Sequence, residues 1–387
     1  HAFKSEHFSD KGPYALLTPG NFNEAGGFRN RGEKQPYYTG EVPPNYILSK
    51  DDVIVAMTEQ DYGLLGSSAW VPVSEHYLHN QRLGLITDLD EQVLNKRFLY
   101  YLFNTREVRH QIAGSASGTK VRHTSPGRIG LVEAEVPEIK VQSQIADTLT
   151  AYDDLMENNR RRMALLEESA RLLYREWFVH LRFPGHEKAK LTNGVPKGWE
   201  RVPAPEAIEV NPRIKLPDED QHWYVEMADL PTDSMVIQSA IKREGRSGSK
   251  FQNEDTLFAR ITPCLENGKT GYVNFMAEGE AGRGSTEFIV LRSKRVTPEF
   301  VYCMARTYEF RENAIRSMIG ASGRQRAQES CFAKFQVWCP PQSILKAFSE
   351  FTEPAFEQIK NLHLQTQKLR TARDLLLPRL MSGEITV

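Results

Sequence analysis

Apolar residues fall into two long stripes of helical period, set among strand-rich stretches punctuated by Gly and Pro. The first stripe is Ile145, Leu149, Tyr152, Met156, Asn159, Met163, Leu166, Ala170, Leu173 and Trp177, with spacings that alternate between four and three. An unbroken 3.5-residue period predicts a coiled-coil seam rather than a globular-core helix. Asn159 is its single strongly polar member, and it either fixes register or is solvated at an imperfect turn. Arg160, Arg161 and Arg162 beside it form a solvated face or meet a partner subunit. The second stripe is Phe348, Phe351, Ala355, Ile359, Leu362, Leu369, Ala372 and Leu376, and Pro354 within it predicts a kink or a later start. The long helices are expected near 141–180 and 342–380, stopped by Phe183-Pro184-Gly185 and by Pro378 with Gly383. About 38 residues of helix span about 57 Å. Two seams with a globular region between them predict an antiparallel pair.

The chain also repeats itself. Asp52–Ala56 is similar to Asp255–Ala259, Phe98–Leu102 to Phe300–Met304, Ser117-Gly118 to Ser322-Gly323, Val136-Pro137 to Cys339-Pro340, and Ala170-Arg171 to Ala372-Arg373, each about 203 residues apart. Each half reads as a strand-rich region, a short helix near 95–112 or 298–318, a Gly/Ser/Arg loop, a strand ending at Pro137 or Pro340, and a long helix. The expected fold class is therefore α+β: two similar α/β domains separated by a pair of long antiparallel coiled-coil helices, a pseudo-two-fold internal repeat. Two unrelated α/β domains with coincidental matches is the competing reading.

Composition narrows the function. Of 387 residues, 40% are hydrophobic, and no apolar run reaches membrane-spanning length, so neither a transmembrane helix nor a largely disordered chain is expected. Lys plus Arg number 49 against 50 Asp plus Glu, which argues against a general polyanion coat and leaves room for local basic loops. Cys264, Cys303, Cys331 and Cys339 form no CxxC, and a chain of this length reads as holding cytoplasmic thiols rather than a disulfide framework. No signal peptide is visible at the start, and a chain beginning at His1 reads as a possible fragment.

Catalytic motifs are missing their essential members. Gly268-Lys269-Thr270 ends like a P-loop, but Pro263 stands where the loop's first glycine belongs. Asn211-Pro212-Arg213-Ile214 lacks the aromatic residue that stacks on a flipped base. His76 and His79 have no metal-ligand companions, Glu138-Ile139-Lys140 has no well-placed aspartate, and Ser67, Ser117 and Ser322 sit in no GxSxG elbow. The chain reads as non-enzymatic.

The order globule, helix, globule, helix resembles the DNA-specificity (S) subunit of type I restriction–modification systems, and particular residues carry the likeness. Ile261-Thr-Pro-Cys-Leu-Glu-Asn-Gly-Lys269 is similar to the family's loop after the first core strand, Gly284-Ser-Thr-Glu-Phe288 to the start of the next strand, and Gly320-Ala-Ser-Gly-Arg324 to the loop before the last. Gln144–Asp147, Asn158–Arg160 and Tyr174–Phe178 resemble its central conserved helix, and Leu377–Ile385 its C-terminal end. The likeness covers essentially the whole chain. It implies a first target-recognition domain over 1–140, a central conserved helix over 141–182, a second target-recognition domain over 183–341 and a C-terminal conserved helix over 342–387. Val195-Pro-Lys-Gly-Trp199 resembles the opening of such a domain; its first-half counterpart would precede residue 1, so the first domain is expected to lack its N-terminal strand.

The resemblance further implies double-stranded DNA as partner, each domain reading half of a split asymmetric site while the helices set the gap. Two methyltransferase subunits would dock and methylate adenine N6, and restriction–translocase subunits would join them. No cofactor is implied in this chain, S-adenosylmethionine, ATP and Mg belonging to partners, and the expected location is cytoplasmic. The recognition region of a fused restriction–methylation enzyme and a coiled-coil protein scaffold remain rival readings.

Readout of base edges needs Arg, Lys, Asn, Gln and Thr on loops. The candidates in the second domain are Thr262, Asn267, Gly268 and Lys269; then Arg283, Ser285 and Thr286; then Ser322, Arg324, Gln325 and Arg326. In the first domain they are Thr58 and Gln60; then Asn80, Gln81 and Arg82; then Ser117, Thr119, Lys120 and Arg122 with His123, and more weakly Thr18 and Asn21. Any one of these is equally a solvated surface residue. Tyr37 and Tyr38 are read as core for at least one of the pair, and Tyr174, Trp177 and Phe178 as packing residues.

Overall fold

The first seam lies on a helix from Ile139 to Tyr174, continued by a π-turn over Arg175–Val179, and the second on a helix from Gln342 to Met381. The computed structural model describes residues 3–60, 62–192, 195–321 and 323–387. Its contacts divide the chain into two units: residues 1–155 with 369–387, and residues 156–368. Each long helix contributes to both.

In the first unit, strand Val53–Ala56 lies between Ser68–Trp70 and Leu83–Leu85, antiparallel to both. It is buried on both faces. Ile54 and Ala56 enter one core with Leu17, Phe22 and Leu48, while Val53 faces Phe98, Tyr101, Ile145 and Leu149, the alternation that a strand imposes. A second sheet runs in the order Phe8–Ser9, Tyr37–Tyr38, Tyr14–Leu16, Tyr77–Leu78. The second unit repeats the central element. Strand Thr256–Ala259 lies between Thr270–Tyr272 and Phe288–Ser293, with Leu257 and Phe258 entering different cores. Both central strands are led in by an aspartate turn: Asp52 Oδ2 accepts from the Ser49 N–H, and Asp255 Oδ2 from the Gln252 N–H, each at 2.8 Å.

Each expected short helix is two. Lys96–Phe103 is followed by Arg106–Gly114, and Pro298–Ala305 by Tyr308–Arg316. The breaks come at Thr105 and Thr307, whose hydroxyls accept from the Val108 and Phe310 N–H groups and so start new helices.

Pro354 and Pro378 stop nothing; both lie inside Gln342–Met381. A helical proline lacks the N–H that would reach the carbonyl four residues back. Here those carbonyls belong to the exposed Glu350 and Asp374, where water can take the missing bond.

The expected strand ending at Pro137 is absent. Its counterpart, Gln336–Cys339, is held by Glu200–Pro203, and no described segment of the first unit stands in that place. An extended segment without a ladder partner is not held as a strand.

Within each unit the long helices run antiparallel. In the first, Asp153 pairs with Arg373, and Ile145 and Leu149 pack with Leu376 and Leu380. In the second, Asn159 donates to Gln365 Oε1 at 3.1 Å, and Phe178 meets Phe348 with ring centroids 5.0 Å apart. Among the described residues no helix is long and apolar enough to cross a membrane.

Candidate nucleic-acid interface

The three candidate loops of the second unit, far apart in sequence, meet at the end of strand Thr256–Ala259. The Arg260 N–H donates to the Glu287 carbonyl at 3.0 Å, and the Arg260 carbonyl accepts from the Ala327 N–H at 2.8 Å. Both the N–H and the hydroxyl of Thr262 donate to the Gln325 carbonyl at 3.0 Å. Arg326 then closes on the Glu287 carboxylate, its Nε at 2.9 Å and its Nη2 at 2.7 Å. That fork holds the guanidinium above its ordinary pKa.

Arg324 is exposed, its guanidinium without a partner among the described residues, and Asn267 and Thr286 are also exposed. Ser285 Oγ accepts from the Glu287 N–H. Ser322 lies outside the described residues.

Three candidates sit elsewhere than expected. Arg283 is on strand Ala281–Gly284, not on a loop, and is 5% exposed. Its guanidinium donates to the Ser247, Arg243 and Glu244 carbonyls and lies over the Tyr224 ring, so it holds the sheet together. Lys269 Nζ donates to the Met227 carbonyl at 2.7 Å, which occupies the charge with the turn at Met227–Asp229. Gly268 is buried at a φ of +73°, and a Cβ there would collide with the Arg311 guanidinium.

The first unit builds the same junction. Thr58–Glu59 pairs with Arg122–His123, the Met57 N–H donates to the Arg82 carbonyl, and Ser117 pairs through its backbone with His123. Thr58 Oγ1 stands 3.1 Å from His123 Nδ1. Arg122 is held on the buried Glu59 carboxylate at 2.9 Å, below the Tyr62 ring. The same carboxylate accepts from the Gly63, Leu64 and Leu65 N–H groups, which fixes the backbone of these three residues. Gln60, Gln81, Arg82, Thr119 and Lys120 are exposed around this junction, and Asn80 caps its turn by accepting from the Arg82 N–H. Ser117 Oγ accepts from Arg128. Thr18 and Asn21 bond each other, Arg31 and Gln35 in a buried capping arrangement. Tyr38, Tyr174 and Phe178 are core, and Trp177 packs against it.

The sequence reading passes over a cleft of about 500 Å³ in the second unit, lined by Arg171, Arg175, His180, Arg306 and Arg311 together with the Gly268 backbone. The four arginines come from two separate helical regions, and only the four-residue spacing of Arg171 and Arg175 is a local signal. Behind the cleft, buried Glu167 accepts from the Tyr302 hydroxyl at 2.6 Å and the Met235 N–H at 2.7 Å, and burial raises its carboxyl pKa. Among the described residues no three metal-ligating side chains come together.

Comparison with known proteins gives this geometry a context. Residues 1–168 match the family model described as the type I restriction modification DNA specificity domain. The type I restriction enzyme MjaIX specificity subunit of Methanocaldococcus jannaschii is 26% identical over 308 residues, covering 75% of this chain and 69% of that protein. The HindI specificity subunit of Haemophilus influenzae is 22% identical over 369 residues, covering 78% and 80%. The crystal structure of a type I restriction–modification S subunit from M. genitalium has the same fold, with a TM-score of 0.55 at 15% identity over 98% of this chain and 91% of that one. Over its first 168 residues the chain thus matches the DNA specificity domain of type I restriction–modification systems, and over about three quarters of its length it is similar to their specificity subunits.

Proposed function

We propose that this chain selects the DNA sequence on which a type I restriction–modification complex acts. Each target-recognition region, 1–140 and 183–341, reads one half of a split, asymmetric site, and the long helices, 141–182 and 342–387, set the unread gap. Two methyltransferase subunits dock on the chain and methylate adenine N6 in the halves, with S-adenosylmethionine bound in those partners. Restriction–translocase subunits add ATP- and Mg-dependent cleavage.

The observation that supports this best is the repeated junction. In both units three polar loops converge at the end of the central strand, and an arginine, Arg122 or Arg326, is preset on a glutamate there. Arg and Gln side chains on converging loops are suited to base edges, and the surrounding Lys and Thr to phosphate.

Single-molecule sequencing tests it, comparing DNA from cells that express the chain with its methyltransferase and DNA from cells that lack the chain. A split motif carrying methyladenine in both halves, present only with the chain, is expected. An assembled complex that leaves no motif would favour the protein-scaffold reading.

A further inference from the structure

The arginine cleft of the second unit is not accounted for by the base-reading junction. Other arginines of the second unit have carboxylate partners: Arg182 on Glu176, Arg260 on Glu329, Arg292 on Asp255, Arg316 on Glu312. Arg171, Arg175, Arg306 and Arg311 have no ion pair among the described residues, although Asp233 and Glu309 line the same cleft. The Arg306 guanidinium makes one hydrogen bond among the described residues, to the Gly268 carbonyl at 3.0 Å.

The internal repeat sharpens the contrast. Arg311 stands four residues after Thr307, as Arg109 stands four after Thr105. Arg109 is spent on the fold, donating to the Leu65, Glu24 and Gly63 carbonyls. The Arg311 guanidinium donates to no described group, so structure alone does not account for its charge. Like charges gathered in one concavity repel, and a bound anion relieves that repulsion. The first turn of helix Tyr308–Arg316 also lines the cleft and adds the positive end of its dipole.

We infer that this cleft is an anion site that seats a backbone phosphate of the duplex beside the half-site read by the second unit. The link is the loop Thr262–Lys269: Thr262 joins the base-reading junction through Gln325, and Gly268 forms part of the cleft wall. A duplex engaging one end of that loop brings its continuous phosphate array past the other. An acidic segment of a partner protein would satisfy the same charges but has no such connection to the reading loops.

The inference rests on the function proposed above only in taking DNA as the ligand. The test uses the full chain assembled with its methyltransferase, on duplexes with and without the methylated motif, across a salt series. Arg175→Ala with Arg311→Ala should make the slope of log affinity against log salt shallower by about one, the loss of one phosphate contact. Affinity for both duplexes should fall by the same factor, at least about tenfold, leaving the preference between them unchanged. Lysine at both positions should restore the slope, because a phosphate needs the charge more than the fork. An unchanged slope would overturn the inference. So would a loss confined to the motif duplex, which would mean base reading, or weakened assembly with an unchanged DNA slope, which would mean an acidic protein segment. A parent complex with no motif preference would sink the proposed function alone, because the slope is still read on the unrelated duplex.

Discussion

Arg373 donates to Asp153 Oδ1 at 2.5 Å, and the Tyr101 hydroxyl donates to Oδ2 of the same carboxylate at 2.7 Å. One side chain thus ties both long helices and the short helix Lys96–Phe103 within the first unit. Asp153→Ala takes an acceptor from a largely enclosed guanidinium, which keeps Asp374, and from a buried phenol, and should lower stability by about 2 kcal/mol. Tyr101→Phe, which removes one donor only, should cost about 1 kcal/mol. Denaturant unfolding followed by amide exchange in Lys96–Phe103 reads both, and equal effects from the two substitutions would contradict this account.

Asn159 is 1% exposed, and its Oδ1 has no hydrogen-bond partner. A buried acceptor left unsatisfied carries a desolvation cost. Asn159→Leu removes the orphan, fills the seam, and leaves the exposed Gln365 to water. It should raise stability by about 1 kcal/mol. A lower melting temperature would mean that the Asn159–Gln365 bond is worth more than the burial it prevents.

Glu167 gives a pH signature. Burial raises its carboxyl above the ordinary value of 4.5, so the native state binds this proton more tightly than the unfolded chain does. The resulting stability is fully present below the unfolded value and is lost as pH rises through the folded one. Glu167→Gln should remove that loss. The midpoint difference, variant minus parent, should therefore widen in the variant's favour as pH climbs above about 4.5. Parallel profiles would place the titration elsewhere.

Gly118 adopts a φ of +102°, and a Cβ there would run into the Val121 carbonyl. Gly118→Ala should destabilise the Ser117–Arg122 loop by about 1–3 kcal/mol. Its DNA consequence should fall on the half-site of the first unit, as an altered methylation motif or a reduced methylation rate in that half. Disturbance of both halves would argue against modular reading.

Arg326 should discriminate at one position of the other half-site. Arg326→Ala should relax base preference there by roughly tenfold or more, while the first half stays intact. Methylation sequencing of the variant checks this directly. An unaltered motif would assign Arg326 to holding Glu287 alone.

The seam positions were legible because a 3.5-residue period leaves a trace in residue order. The repeat was legible because Asp52 and Asp255, like Ser117 and Ser322, keep identity, order and nearly the same spacing. The helix breaks at Thr105 and Thr307 were not, since threonine caps only when its hydroxyl meets the right N–H. Pro354 misled because its cost depends on whether Glu350 faces water. Arg283 reads as a loop reader until its carbonyl acceptors, contributed by residues 243, 244 and 247, are placed around it. Arg171 and Arg175 share a helix face, but they meet Arg306 and Arg311 only in the folded chain, so no local pattern announces the cluster.

Arg109 and Arg311 carry a consequence for how this molecule is able to diversify. The two side chains are identical and occupy the same turn of a duplicated helix, yet one is a staple and the other is idle as far as the fold is concerned. The difference lies in the opposing backbone, which offers three carbonyls to Arg109 and none to Arg311. A duplicated domain can therefore release a residue from scaffolding by reshaping a neighbouring turn, with no substitution at the residue itself. Roles transferred between the two halves by matching letters will fail at such positions, and the carbonyl pattern is the better guide.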